Sequence, residues 1–433
     1  RRPGFFNVTR WSRSHIAMLE CGMRTAGVLS VSALHIVAYL SFIVLGLPDG
    51  MLGVAWPSMS GEFARPLGAL GILLFGFTVG YLATTAAAGI LIQRLGYYRH
   101  LLFAAVLMTA GGAGIALSPV WIAVVAAAGV LGAGAGMLDG GLNAYAAQRF
   151  RARDLNWLHA AYGVGATTGP LLMTPIIAAD TSWRLGYVIF GLFAAASVVA
   201  FRLSRDRWQV PAADGGPTGA HAAPGSAAPT AAAGAPAAAE GGGWSVLLGS
   251  LVVFFLYTGL EVVAGQWSYT LFTVGRGVDA GRAGPWISVY WGSLTVGRVA
   301  FGWIAERIPA ETLLRATSVL AILGVTLLWI GRPPVLGAVK LSVLGFCLAP
   351  MFPLLIGETP RRVGAARSDH MVGLQIASSN IGAVSLVGLV GLLVEVLGLE
   401  IIGPALFVNA LLFLVANEFV AHRSGAISHD SSA

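Results

Sequence analysis

Four ionisable side chains lie in stretches of chain that are otherwise almost wholly apolar: Asp49, Asp139, Glu261 and Arg298. A charge at the centre of a membrane helix costs roughly 2.5–3.5 kcal/mol on insertion scales, so each of these residues needs a partner or a task. A carboxyl group withdrawn from water can exchange a proton in the course of a working cycle. Asp49 and Asp139 are therefore read as a proton-responsive pair. Glu261 is read either as a third coupling group or as one end of a fixed ion pair with Arg298. Pro48 and Gly50 flank Asp49 and predict a broken or kinked helix lining a cavity at that point.

The residues around these charges suit a small polar solute. Asn143 follows Asp139 by four residues and shares its helix face. Tyr257 and Gly265 lie four residues either side of Glu261, which places a ring and a gap beside the carboxylate. Gln266, Trp267, Gln375 and Asn380 add amide and indole groups for a solute that carries hydroxyls. His159 reads as an interfacial histidine, and Lys340 as a lysine whose long stem reaches the membrane edge. Gly165-x3-Gly169-Pro170 and the run Gly132 to Gly141 read as close helix packing. Two cysteines, Cys21 and Cys347, give no disulfide framework or metal spacing. No nucleophile motif or paired catalytic carboxylates appear. No enzyme, cofactor or metal site is expected.

Only an extensively membrane-embedded chain positions such residues in this composition. The 433 residues are 56% hydrophobic and 10% charged, against about 25% charged in a soluble domain. Apolar runs of about 20 residues recur, the length of a bilayer crossing, and lipid requires them to be helices. Twelve spans are expected, near 30–56, 68–92, 100–117, 120–148, 155–179, 183–203, 244–273, 284–305, 312–330, 335–357, 369–395 and 400–421. An Ala/Pro/Gly-rich stretch, 205–243, reads as a disordered cytoplasmic linker between six-helix halves at 30–204 and 244–421. Tails at 1–29 and 422–433 complete the domain reading.

Arginines such as Arg94, Arg149, Arg205, Arg307, Arg361 and Arg423 fall on one set of loops, with few on the other. This bias puts both termini in the cytoplasm of a plasma (bacterial inner) membrane. The net charge of +7 is thus a topology signal, and no nucleic-acid partner is expected. The expected partners are the lipid bilayer, protons and a small-molecule substrate, handled by a monomer. The halves repeat: Asp49 and Gly53 match Glu261 and Gly265 at an offset of 212 residues, and two loop motifs repeat at nearly the same offset. Repeated halves place a transport site near the midplane between them.

The loop motifs carry a family resemblance. Gly89-x3-Gln93-Arg94-Leu95-Gly96 and Gly302-x3-Glu306-Arg307-Ile308-Pro309 resemble the signature loops of the major facilitator superfamily, over nearly all of 30–421. Gln93 stands where that family usually has Asp. The resemblance implies an all-α fold of twelve transmembrane helices in two pseudo-symmetric bundles. It implies conformational gating through Gly89, Arg94, Gly302, Glu306 and Arg307, to which Arg298 is added. Within the superfamily the chain is most similar to the fucose/galactose/glucose–proton symporter branch, through Asp49, Asp139 with Asn143, Glu261 and the Tyr290-to-Arg298 stretch. That implies proton-coupled symport of a sugar by alternating access. Two rivals stand beside it: a proton-antiport exporter, which needs a more apolar cavity, and a non-transporting sensor or scaffold, which needs large soluble extensions.

Overall fold

The computed structural model describes residues 33–208, 243–331 and 336–430, and among them every regular element is helical. The N-terminal half contains α1 (Ala33–Glu62), α2 (Leu70–Leu117), α3 (Trp121–Arg149), α4 (Ala152–Ala178) and α5 (Arg184–Leu203). The C-terminal half contains α6 (Trp244–Thr270), α7 (Ala280–Ile304), α8 (Ala310–Ile330), α9 (Gly337–Leu348), α10 (Met351–Val363), α11 (Ala365–Leu397) and α12 (Ile402–Asp430).

Helix α2 is two helices run together. Gly96 adopts φ +73°, a conformation that glycine takes without steric cost. The chain doubles back there, because neighbouring residues of α3 touch both arms. A Cβ on Gly132 would lie 1.9 Å from the Phe77 carbonyl oxygen, and one on Gly134 would lie 2.6 Å from the Met108 nitrogen. Helices α9 and α10 meet at Ala349-Pro350 and act as one segment, Gly337–Val363. Nine segments among the described residues are long and apolar enough to cross a membrane, with α2 counted once. Helices α4 and α7 have the length but are more polar, and both lie on the seam between the halves. The expected twelve passes thus rest on length and apolarity for nine segments, on the turn in α2, and on length alone for α4 and α7.

The two halves repeat in three dimensions as well as in sequence. A Cβ on Gly165 of α4 would lie 2.0 Å from the Ile43 oxygen of α1, and one on Gly382 of α11 would lie 2.2 Å from the Phe255 oxygen of α6. Each half thus seats a late helix on its first helix through a glycine against a carbonyl. Each half is also tied by an arginine on the face where α1 ends, called here the far face. Arg184 bonds Glu62 at 2.7 Å, the Ala116 oxygen at 2.7 Å and the Ser118 oxygen at 2.8 Å. Arg276 bonds Glu400 at 2.8 Å and the Leu328 oxygen at 3.1 Å. The acid ends the first helix of one half and precedes the last helix of the other, so the tie repeats with its charges exchanged.

Three expectations change. Helix α1 runs unbroken through Pro48 and Pro57. The missing Pro48 N–H leaves the Val44 carbonyl without its helical partner, and close packing on α4 holds the helix together in spite of this. The linker does not begin at 205: Arg205–Trp208 forms a 3₁₀ turn whose buried Trp208 packs on Tyr145 and Phe201. The final helix continues to Asp430, past the expected end at 421. The tail 1–29 and the linker residues 209–242 lie outside the described residues.

Candidate functional site

Asp49 is placed by glycine packing. Gly46 and Gly50 of α1 oppose Gly165 and Gly169 of α4 so closely that a Cβ on Gly50 would lie 2.1 Å from the Ala166 oxygen. At this separation Tyr162, one turn before Gly165 on the same face of α4, donates its hydroxyl hydrogen to Asp49 Oδ2. A second glycine contact places Asp139. A Cβ on Gly136 of α3 would lie 2.3 Å from the Tyr81 oxygen. Tyr81 then donates to Asp139 Oδ2 at 2.6 Å, and Asn143 donates to Oδ1 at 2.8 Å. Both aspartates remain partly exposed, and their hydrogen-bond partners are neutral donors.

Glu261 differs. It is buried on α6, takes the Tyr257 hydroxyl hydrogen on Oε2, and faces Arg298 Nη2 at 3.4 Å. Tyr290 donates to its backbone oxygen at 2.8 Å. Glu261 thus makes an ion pair with Arg298, the contact named in the second reading of its sequence position. Gln266 bridges the halves, donating from Nε2 to the Asp49 backbone oxygen at 2.9 Å. Asp49 and Glu261 are near enough for their charges to interact. His159 is exposed, edge-on to Phe42, and within Coulombic reach of Asp139 and Arg298. One polar cluster thus occupies the junction of α1, α3, α4, α6 and α7.

Three expected solute contacts lie outside this cluster. Trp267 is fully buried and donates to the Val387 oxygen at 3.2 Å. Gln375 is held within the C-terminal half, accepting from Thr359 at 2.9 Å and donating to Ser250 at 2.6 Å. Asn380 donates to the Ile376 oxygen of its own helix at 2.9 Å. In each case a neighbouring carbonyl or hydroxyl within the bundle competes for the polar group, which its sequence position does not reveal. Lys340 is buried and bonds the Gly331 oxygen at the end of α8. Tyr81, Tyr162 and Trp291 are the residues that sequence reasoning missed. A tyrosine on the glycine-lined face of a helix was the available signal.

The halves meet at the far face and at mid-depth. A Cβ on Gly71 would lie 2.6 Å from the Gly388 Cα, and the Gly68 N–H donates to Glu395 at 3.0 Å. At mid-depth, a Cβ on Gly163 would lie 2.4 Å from Thr295 Oγ1. On the opposite face a Cβ on Gly89 or Gly302 would meet no atom within 4 Å. Arg94, Glu306 and Arg307 are exposed there. The five loop residues expected to gate the protein are thus unengaged in this state, while Arg298 is engaged with Glu261.

Several known transporters are similar to this chain. A glucose/mannose transporter, GlcP, of Bacillus subtilis (strain 168) is 22% identical over 372 residues, spanning 82% of this chain and 87% of the relative. The structure of the E. coli fucose:proton symporter FucP matches 90% of this chain and 98% of its own, at 16% identity and TM-score 0.58. A nucleoside transporter, NupG, matches 90% and 99% at 15% identity and TM-score 0.67. A D-xylose–proton symporter matches 90% and 96% at 12% identity and TM-score 0.65. These likenesses give the fold. The family model of the Major Facilitator Superfamily matches residues 38–387. This integral membrane chain, a transporter of small molecules and not an enzyme, belongs to the Major Facilitator Superfamily.

Proposed function

We propose that the protein couples entry of a small polyhydroxylated solute, a sugar, to entry of protons by alternating access. The observation that carries this reading is the pair Asp49 and Asp139, held by Tyr162, Tyr81 and Asn143. A hydroxyl or amide donor holds a carboxylate in place without neutralising it, so protonation remains the way to discharge it. Discharging both groups lowers the cost of carrying them through a closed state. Glu261, neutralised by Arg298, serves as a fixed element of the solute wall and carries no proton. The far face is shut in this structure, which corresponds to one of the two states that alternating access needs. The arginine-rich face is the cytoplasmic one, and the membrane is the plasma (bacterial inner) membrane.

The glucose/mannose transporter and the fucose and xylose symporters support the solute class, and the polar groups around Glu261 suit it. The test is sugar uptake by proteoliposomes. An inward proton gradient should concentrate D-glucose or a related hexose in vesicles carrying the wild-type protein. Asp49→Asn and Asp139→Asn should abolish this concentration but preserve exchange of labelled for unlabelled sugar. Proton-driven accumulation that survives both substitutions would overturn the coupling assignment. Dye efflux driven by the gradient, without sugar exchange, would show an antiport exporter instead.

A further inference from the structure

Four side-chain atoms around Glu261 are fully buried and make no hydrogen bond: Thr258 Oγ1, Gln266 Oε1, Trp291 Nε1 and Arg298 Nε. Trp291 and Gln266 are 5% and 2% exposed. Buried polar groups are ordinarily paired, and each unpaired one calls for an explanation. An indole nitrogen is a donor only and an amide oxygen an acceptor only. The two atoms therefore need a third party that offers both an acceptor and a donor.

The helices bring the residues that carry these atoms to neighbouring positions along the contact of α6 and α7. Trp291 and Arg298 are seven residues apart on α7, which puts them on one face about 10 Å apart along the axis. That face meets the face of α6 carrying Glu261 and, four residues on, Gly265. The Trp291 ring rests on Gly265: a Cβ there would lie 2.5 Å from Trp291 Cζ2 and 3.1 Å from Cε2, the carbon bonded to Nε1. Gln266 is next in the chain and bridges to the Asp49 backbone. Gly53 approaches from α1, where a Cβ would lie 3.0 Å from the Gln266 backbone oxygen. Gly265 thus makes room for the indole, and Gln266 joins it to the proton-carrying half. By contrast, the indole N–H of Trp267 already has a carbonyl partner.

We infer that Trp291 and Gln266 form a donor–acceptor pair that reads adjacent hydroxyl groups of the solute, with Trp291 the specificity-determining residue. Each hydroxyl both accepts and donates, so two neighbouring hydroxyls satisfy an indole N–H and an amide oxygen together. A solute lacking either hydroxyl leaves a buried group unpaired, which is how a site of this kind rejects close analogues. The inference rests on the sugar reading above.

The experiment is equilibrium exchange of D-glucose and its 2-, 3-, 4- and 6-deoxy analogues in proteoliposomes, for wild type, Trp291→Phe and Gln266→Met. Wild type should discriminate against at least one analogue about tenfold or more. Trp291→Phe keeps the ring but removes the N–H. It should weaken glucose by about the same factor and lose the discrimination at one hydroxyl, so that the analogue and glucose bind alike. Gln266→Met should remove discrimination at a neighbouring hydroxyl. Thermal unfolding without sugar should change little for Trp291→Phe, while stabilisation by glucose should fall. Trp291→Phe and Gln266→Met proteins that each keep the full wild-type ranking of analogues would overturn the pair. If Trp291→Phe does not fold, Gln266→Met alone decides. Exchange of no sugar by wild type would instead overturn the proposed function, and this inference with it.

Discussion

Both halves place a carboxylate at matching positions of their first helix, Asp49 and Glu261, and treat it differently. Asp49 meets a tyrosine hydroxyl from another helix, whereas Glu261 meets a tyrosine from its own helix and an arginine from the next. A neutral donor leaves the carboxylate's charge to be removed by a proton, whereas an arginine compensates it with a positive charge. The duplicated scaffold thus supplies one position twice, and the partner decides its use. In the proposed mechanism the N-terminal half changes charge, while the C-terminal half keeps the Glu261–Arg298 pair beside donors and acceptors that lack partners.

The comparison is broken most completely at the aspartates. A pH gradient of one unit can concentrate a solute about tenfold at one proton per solute. Asp49→Asn or Asp139→Asn should bring that ratio to about one in uptake assays. The ion pair gives the next effect. Arg298→Met leaves Glu261 buried and unpaired and should cost about 3–5 kcal/mol, read as a lower Tm in detergent. Adding Glu261→Gln to Arg298→Met should recover most of the loss, whereas adding Asp49→Asn should not.

The shared scaffold should respond alike in both halves. Gly165→Ala and Gly382→Ala push a methyl group into a carbonyl and should each cost about 1–3 kcal/mol. Unequal losses would show that only one half depends on its glycine seat. The arginine ties come last. Arg184→Met and Arg276→Met should each lower stability by about 1–2 kcal/mol, because each arginine also binds backbone carbonyls. Exchanging the charges, Glu62→Arg with Arg184→Glu, imitates the polarity of the other half. It should be milder than either single change if the two ties are equivalent.

The sequence disclosed the fold because lipid leaves the backbone few options, and because the two halves repeat. It disclosed Asp49, Asp139 and Glu261 because a charge in an apolar run stands out. Their partners were less legible. Tyr162 reaches Asp49 only because four glycines let α1 and α4 nearly touch. Gln375 and Trp267 were legible as polar groups, but not as groups already bonded within their own half. The unbroken course of α1 through Pro48 also escaped the sequence, because tertiary packing overrides the local cost of proline there.

The claim that the N-terminal half carries the proton and the C-terminal half does not is tested most directly by recording proton entry upon addition of sugar to proteoliposomes. The account predicts that sugar-induced alkalinisation of the medium disappears in Asp49→Asn and Asp139→Asn and persists in Glu261→Gln protein that still exchanges sugar. Alkalinisation that is lost in Glu261→Gln and retained in the two aspartate variants would contradict it.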